Sequence, residues 1–127
     1  MKDIKPSDLE MQILSVLWEK GDMTVRDVLE AMPDGKKRAY TSILSVMQVM
    51  EKKGLLKHKT RGTAHVYKPA MKREKIIQPF MKKMLNEVFG GKPSAMMQAL
   101  LTETPISNKE MAQIQEIIKE ANTKSEK

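Results

Sequence analysis

Residues 36–69 read KKRAYTSILSVMQVMEKKGLLKHKTRGTAHVYKP, and the predicted fold rests mainly on this segment. Apolar side chains recur at helical spacing in its first half, which predicts a helix with one buried stripe: Ile43, Val46, Met47 and Met50. The other side of this helix carries hydroxyl and amide groups, which can donate and accept hydrogen bonds. Gly54 should end the helix, because glycine readily adopts the positive φ found at helix C-termini.

A β-hairpin should follow this helix. Two short β-type runs, at residues 55–59 and 64–68, flank Arg61-Gly62, where glycine permits a tight turn. Two further helices are expected upstream, one opened by the capping box at residues 7–10 and a short one opened by Thr24. A helix, a short helix, a turn and a polar-faced helix, followed by a basic hairpin, is the order of a winged helix-turn-helix.

Positive charge is concentrated in the same stretch. Between Gly35 and Lys68 there are nine Lys or Arg residues and one acidic residue, Glu51, so this segment carries +8, whereas the whole chain carries +7. A polyanion is bound by cations that lie close together, with release of counterions, so this concentration favours nucleic-acid binding. Lysines that served only to solvate a surface would be interspersed with acidic residues.

Composition excludes several other classes of function. The chain of 127 residues contains no cysteine, so it has no disulfide, no catalytic thiolate and no Cys-ligated metal site. Its 12 methionines fall at apolar helix positions and are interpreted as core packing rather than as a metal cluster. No apolar run reaches the length of a membrane span and the N-terminus lacks a signal-peptide core, so we expect a cytoplasmic protein with no membrane partner.

An enzyme is not expected. His58 and His65 have no carboxylate cluster or nucleophile near them in the sequence, and Gly90-Gly91 follows a helix rather than a strand, so it is no phosphate-binding loop. We expect no catalytic residue, no metal site and no cofactor. RNA binding is disfavoured because only 4% of the residues are aromatic and stacking platforms are missing.

The predicted helix and hairpin supply candidate DNA contacts of two kinds. Contacts to base edges in the major groove are expected from Tyr40, Thr41, Ser42, Leu44, Ser45 and Gln48. Contacts to phosphates are expected from Thr24, Lys36, Lys37, Arg38, Lys52, Lys59, Arg61 and His65. Thr24 could equally be a plain N-cap. Leu44 lies off the apolar stripe, so we expect it to point toward the groove and to pack against a thymine methyl group.

The chain changes character after Pro69. A helical pattern covers residues 71–89, with Pro79 inside it, which predicts either a kink or a helix that begins near Ile77. A short helix at residues 93–102 and a helix opened by a second capping box at residues 107–110 complete the pattern.

These three helices are too few to bury broad apolar faces on themselves, so we expect them to pair with a second copy of the chain. The alternative is that they fold back on their own winged-helix domain. The predicted organisation is a winged-helix domain at residues 1–70, a helical dimerisation module at 71–122 and a disordered tail at 123–127. The expected dimer contacts are Ile77, Phe80, Met84, Leu85, Val88, Met97, Leu100, Leu101, Met111, Ile114 and Ile118.

Over nearly its full length the chain resembles the penicillinase and methicillin-resistance repressor family (BlaI/MecI/CopY). Five segments in the right order carry the resemblance: SDLEMQILSVLW at 7–18, MEKKG at 50–54, VYKP at 66–69, FGG at 89–91 and SNKEMAQIQEII at 107–118. The resemblance implies a homodimeric winged-helix repressor that binds an inverted-repeat operator in double-stranded DNA. It also implies inactivation by a sensor-linked protease, which cuts the C-terminal part after a β-lactam is detected.

Three features depart from the family pattern. The absence of cysteine excludes the copper-responsive branch, which uses C-terminal cysteines. Leu44 stands where resistance repressors often carry a base-contacting Arg or Gln, and Ala99-Leu100 aligns with their Asn-Phe cleavage bond. The operator and the inducing signal therefore do not follow from the resemblance. Two alternative functions stay open at this point: a winged-helix module that binds an acidic protein, and a ligand-responsive regulator.

Overall fold

The computed structural model describes residues 5–34 and 37–125, and over these residues the fold is mainly helical with one two-stranded antiparallel sheet. The elements are α1 (Asp8–Lys20), α2 (Val25–Ala31), α3 (Tyr40–Lys52), β1 (Leu56–Arg61), β2 (Ala64–Pro69), α4 (Arg73–Glu87), α5 (Pro93–Glu103) and α6 (Asn108–Ser125). This order confirms the predicted winged-helix fold. The chain forms two compact units, Met1–Met81 and Lys82–Lys127. Within the described ranges, no helix is both long and apolar enough to cross a membrane.

The capping boxes that open α1 and α2 are present. The hydroxyl of Ser7 accepts the backbone N–H of Glu10, and the Glu10 carboxylate accepts the backbone N–H of Ser7 at 2.9 Å. Thr24 and Asp27 exchange the same pair of hydrogen bonds at the start of α2. Each box satisfies backbone donors that the first helical turn would leave unpaired, so the local sequence fixes where both helices begin.

One hydrophobic core holds the first unit together. Side chains from α1, α2, α3, the hairpin and the start of α4 are all buried in it: Ile13, Leu14, Leu17, Val25, Val28, Met32, Ile43, Met47, Met50, Leu55, Leu56, Tyr67 and Ile76. Each fully buried aliphatic side chain contributes about 1.5–3 kcal/mol relative to exposure. Because α3 buries one stripe here, its opposite face is left for solvent or a partner.

The end of α3 is fixed by a Schellman motif. Gly54 has a φ of +87°, its N–H bonds to the carbonyl of Glu51, and the N–H of Leu55 bonds to the carbonyl of Met50. Leu55 and Met50, the two residues that this second bond joins, are both buried in the core of the first unit. The motif turns the chain from α3 directly into the hairpin.

The hairpin has a two-residue turn, one position later than expected. Arg61 pairs with Ala64, so the turn is Gly62-Thr63, and Gly62 alone has a positive φ, +63°, as a type II′ turn requires. Tyr67 in β2 also exchanges two backbone hydrogen bonds with Met23, at 2.7 and 3.0 Å. The loop between α1 and α2 thereby anchors the base of the hairpin.

Helix α4 begins at Arg73 and belongs in part to the winged-helix unit. The sequence pattern predicted either a helix with a kink at Pro79 or a helix that begins near Ile77. The start at Arg73 excludes the second alternative, and Pro79 lies inside the helix as in the first. Ile76 is buried in the core, and the indole N–H of Trp18 donates to the carbonyl of Met71 at 3.1 Å. The first unit therefore extends to Met81, beyond the boundary expected at residue 70.

The second unit exposes much of its apolar surface. No side chain of α5 is buried, and none is buried along residues 108–124 of α6. Gly90 and Gly91, both with positive φ, follow the end of α4, and the hydroxyl of Ser107 accepts the backbone N–H of Glu110 before α6. Helix α6 continues to Ser125, so residues 123–125 are helical where a disordered tail was expected; residues 126–127 lie outside the described part.

Candidate nucleic-acid interface

The exposed face of α3 is polar and built from short side chains. Five of the six expected base-contacting residues lie on it and are exposed: Tyr40, Thr41, Ser42, Ser45 and Gln48. Hydroxyl and amide groups without intrahelical roles can pair with base edges in a major groove, which is wide enough to admit a helix. The face also carries Val49, which is 46% exposed and was not among the expected contacts.

Leu44 lies elsewhere than expected. Its side chain is half-buried and packs against the core of the first unit. The expectation that it points away from the core is therefore wrong. Leu44 lies three residues before the buried Met47, about 60° away around the helix axis, so the buried side of α3 extends far enough to include it at its edge.

The hairpin separates its charged and aromatic side chains onto two faces. In the antiparallel register Lys57 pairs with Lys68, and Lys59 and Arg61 lie two and four residues further along the same strand. Side chains two residues apart in a strand share a face, so these four cations form one surface, which we call the cationic face. Lys57, Lys59 and Arg61 are exposed and Lys68 is half-buried.

His65 lies on the opposite face of the hairpin from Lys59 and Arg61. It pairs with Thr60, and its ring stacks on His58 with a centroid separation of 4.3 Å. The structure thus brings together Lys59 and Arg61 of the expected phosphate contacts, but it does not bring His65 to them.

The histidine face is linked to α3. Glu51 Oε2 lies 2.6 Å from Nδ1 of His58, and Tyr67, which pairs with His58, is buried. Burial raises the pKa of Tyr67, and the nearby Glu51 carboxylate raises it further, so this phenol stays neutral. Glu51, the acidic residue of the basic segment, is therefore engaged with the hairpin.

The basic residues before α3 differ in their surroundings. Lys37 is exposed, whereas Arg38 is half-buried and bonded to Asp34, with Nη2 at 2.8 Å from Oδ2. The hydrogen bond from Arg38 lowers the pKa of Asp34, so both groups stay charged. Arg38 must share its guanidinium with Asp34 if it also binds a phosphate. Lys36 lies outside the described residues.

Two other groups border the interface. Thr24, expected either at a phosphate or as a plain N-cap, does cap α2, since its hydroxyl accepts the N–H of Asp27. Arg26 in α2 lies over the ring of Tyr40, with Cζ 5.0 Å from the ring centroid. This cation–π contact contributes about 0.5–1 kcal/mol at an exposed site and joins α2 to the first turn of α3.

Four residues at this surface were not among the contacts predicted from the sequence: Val49, Arg26, Lys57 and Lys68. The period of two along β1 would have grouped Lys57 with Lys59 and Arg61, because all three occupy alternate positions. Val49 and Arg26 carry no such signal, since their placement depends on how α2 and α3 pack. In the described part of the chain, no group of three His, Asp or Glu side chains is arranged to hold a metal ion.

Comparison with known proteins agrees with this geometry. The sequence profile of the family described as "Penicillinase repressor" matches residues 6–120. The "Penicillinase repressor" of Bacillus licheniformis is 23% identical over 114 residues, covering 90% of this chain and 89% of that protein. The "Transcriptional regulator BlaI" of Mycobacterium tuberculosis (strain ATCC 25618 / H37Rv) is 33% identical over 75 residues, covering 58% of this chain and 54% of that protein.

Proposed function

The chain belongs to the penicillinase repressor family, whose members are transcriptional repressors, and from this membership we propose that it binds an inverted-repeat operator in duplex DNA as a homodimer. One observation carries the proposal most strongly. The polar face of α3 is followed, after the Gly54 turn, by the cationic face of the hairpin. Recognition of duplex DNA needs a helix whose side chains can pair with base edges, and cations beside it that can bind phosphates.

Side-chain chemistry separates the proposed base contacts from the proposed phosphate contacts. Thr41, Ser42, Ser45 and Gln48 have the donors and acceptors that discriminate base pairs in the major groove. Lys37, Lys52, Lys59 and Arg61 are exposed cations that bind phosphates without regard to sequence. Lys57 and Lys68 join them because they share the cationic face.

A homodimer is supported by the apolar surface of the second unit. Val88 is 65% exposed and Ile118 is 53% exposed, and Met84, Leu100 and Met111 are exposed as well. A three-helix unit that leaves such side chains in water is stabilised when a second copy covers them. Two copies would place their α3 helices on half-sites about one helical turn, roughly 34–36 Å, apart or a multiple of it. Phe80 is an exception among the expected dimer contacts, because it packs against the winged-helix core.

The DNA-binding proposal is tested by a footprint. The purified full-length protein is added to the duplex upstream of its own coding region, and protection is measured with increasing salt. We expect a symmetric protected site and an affinity that falls steeply with salt. Lys59→Ala should reduce the salt slope by about one, whereas Lys109→Ala, which removes an exposed charge in α6, should not change it. Absence of any protected site, or equal affinity for every duplex, would favour an acidic protein partner instead.

The dimer is tested by charge substitutions at exposed positions. Val88→Glu and Ile118→Glu should cost the isolated chain little, because both side chains are already exposed, but they would place a charge in the proposed interface. We expect a monomer in sedimentation equilibrium and much weaker operator binding. Gln113→Glu changes an exposed residue of α6 in the same way and is the control. A Val88→Glu protein that sediments as a native dimer would refute this interface.

Release of repression is proposed to follow proteolysis in α5. The aligned bond, Ala99-Leu100, lies inside this helix, so a protease needs local opening to reach it. Within a single chain α5 buries no side chain, so opening has to break only the contacts that α5 makes with the second copy. A cut there would remove α6 and its apolar surface from the dimer and reduce avidity for two half-sites. Immunoblots of cells before and after β-lactam exposure test this: persistence of the full-length protein during induction would point to a ligand or a partner protein instead.

A further inference from the structure

We propose that Val49 recognises the 5-methyl group of a thymine in the major groove of the operator. This inference rests on the proposed DNA-binding function and adds a source of sequence specificity to it. The observation behind it is an aliphatic side chain, 46% exposed, on the face of α3 that is otherwise made of hydroxyl and amide groups.

The position of Val49 on the helix places it with the polar residues. Ser45 is four residues before it and Ser42 is seven before it, and residues at these spacings line one side of an α-helix. Both serines are exposed. Because the serine side chains are short, the branched side chain of Val49 projects further from the helix than Ser42 and Ser45 do.

Leu44, the other aliphatic candidate, faces a different way. It precedes Val49 by five positions, which corresponds to about 140° around the helix axis. Leu44 packs against the core, whereas Val49 is not part of the core or of the side chains packed on it. Val49 is therefore the better candidate for an aliphatic contact to a base.

The charge around Val49 favours DNA over a protein as the group that covers it. Lys52 lies three residues further on, and the cationic face of the hairpin follows α3 in the chain. An apolar protein interface would need several exposed aliphatic side chains, and Val49 is the one aliphatic residue of α3 that is largely exposed. The thymine methyl group is the apolar feature that the major groove presents at the base edges, so a single valine matches it.

The test removes one methyl group at a time. The full-length protein first selects its preferred duplex from a random pool, and each thymine of that duplex is then replaced by deoxyuridine, which lacks only the methyl group. Dissociation constants are measured for the native protein and for Val49→Ala, Val49→Thr and Leu44→Ala. Thermal melting checks that each variant is folded.

We expect one thymine in a half-site at which deoxyuridine weakens binding by the native protein roughly three- to five-fold, the value of burying about one CH₂ equivalent. Val49→Ala should bind the two duplexes equally, Val49→Thr should keep part of the difference, and Leu44→Ala should keep all of it. A difference that survives Val49→Ala, or one that Leu44→Ala abolishes, overturns the inference, as does equal binding at every thymine. A protein that enriches no sequence from the pool refutes the proposed function itself, and the inference falls with it.

Discussion

The Nζ of Lys53 lies 2.8 Å from Oε2 of Glu10, so the residue that ends α3 is paired with a carboxylate in the first turn of α1. The second oxygen of Glu10 accepts the backbone N–H of Ser7. Glu10 is only 4% exposed, and this pair therefore fixes the C-terminal end of α3 against the first helix of the unit. From this pair we predict an effect on the free energy of unfolding and on its dependence on pH.

Glu10→Gln should destabilise the first unit. The amide cannot offer a charge to Lys53, and one buried hydrogen-bonding group is left poorly matched, so we expect a loss of about 1–3 kcal/mol in the free energy of unfolding. Urea denaturation measures this loss. Lys52→Gln removes an exposed neighbouring charge and should change stability by less than about 0.5 kcal/mol. Equal stability of Glu10→Gln and the native protein would mean that the pair contributes nothing.

The same pair should make stability depend on pH. Burial opposes ionisation of Glu10, but the hydrogen bonds from Lys53 and Ser7 outweigh it and lower the pKa below the ordinary 4.5. A carboxyl group whose pKa is lower in the folded state stabilises the fold above the unfolded value and loses that contribution as pH falls through the folded value. Stability measured from pH 7 downward should therefore fall more steeply below about 4.5 in the native protein than in Glu10→Gln.

The two faces of the hairpin should contribute differently to DNA binding. Arg61→Ala should weaken binding to all duplexes about equally and reduce the salt slope by roughly one. His65→Ala, on the opposite face, should leave the slope unchanged. Titrations at several salt concentrations measure both slopes. A change in preferred sequence on Arg61→Ala, without a change in slope, would contradict the assignment of Arg61 to a phosphate.

Glu51 and His58 should be coupled energetically. Their side chains are 2.6 Å apart and each is about one-third exposed, so solvent screens the contact. A double-mutant cycle with Glu51→Gln and His58→Ala should give a coupling free energy of about 0.3–1 kcal/mol in thermal or urea unfolding. The pair Glu51→Gln with His65→Ala is the control, and a coupling as large there would mean that the effect is not specific to the contact.

A fragment of residues 1–81 should fold cooperatively, whereas a fragment of residues 1–70 should be much less stable. The shorter fragment lacks Ile76 from the core and the Met71 carbonyl that accepts the indole N–H of Trp18. Ile76→Ala in the full chain should cost about 2–4 kcal/mol by the loss of the same buried side chain. Thermal melts of the two fragments and of Ile76→Ala check this. Equal melting temperatures for the two fragments would place the boundary back near residue 70.

Local sequence signals were sufficient to predict the helices and the hairpin of the first unit. The capping box at Ser7 and the glycine at position 54 act through hydrogen bonds between neighbouring residues, so they can be read without knowing the fold. Apolar periodicity identified the buried side of α3 for the same reason.

Side chains at the edge of a buried stripe could not be assigned in this way. Leu44 and Val49 are both aliphatic and both lie beside the stripe, yet one packs on the core and the other is exposed. Which of them is covered depends on the elements packed around α3, and that information is long-range. The same limit applies to Ile76, which the α4 pattern could not separate from Ile77, and to the pairing of Glu10 with Lys53.

The two-residue turn at Gly62-Thr63 makes the wing sensitive to whether its length changes by an odd or an even number of residues. The turn fixes the pairing of Arg61 with Ala64, and alternate residues along β1 then face opposite ways. A single residue inserted between Thr60 and Arg61 would rotate Lys57 and Lys59 toward the side now held by His58, and would turn Leu56 out of the core unless a bulge absorbed it. An insertion of two residues would lengthen the wing and keep every cation on its side. Wings of different lengths on this scaffold should therefore differ by even numbers of residues.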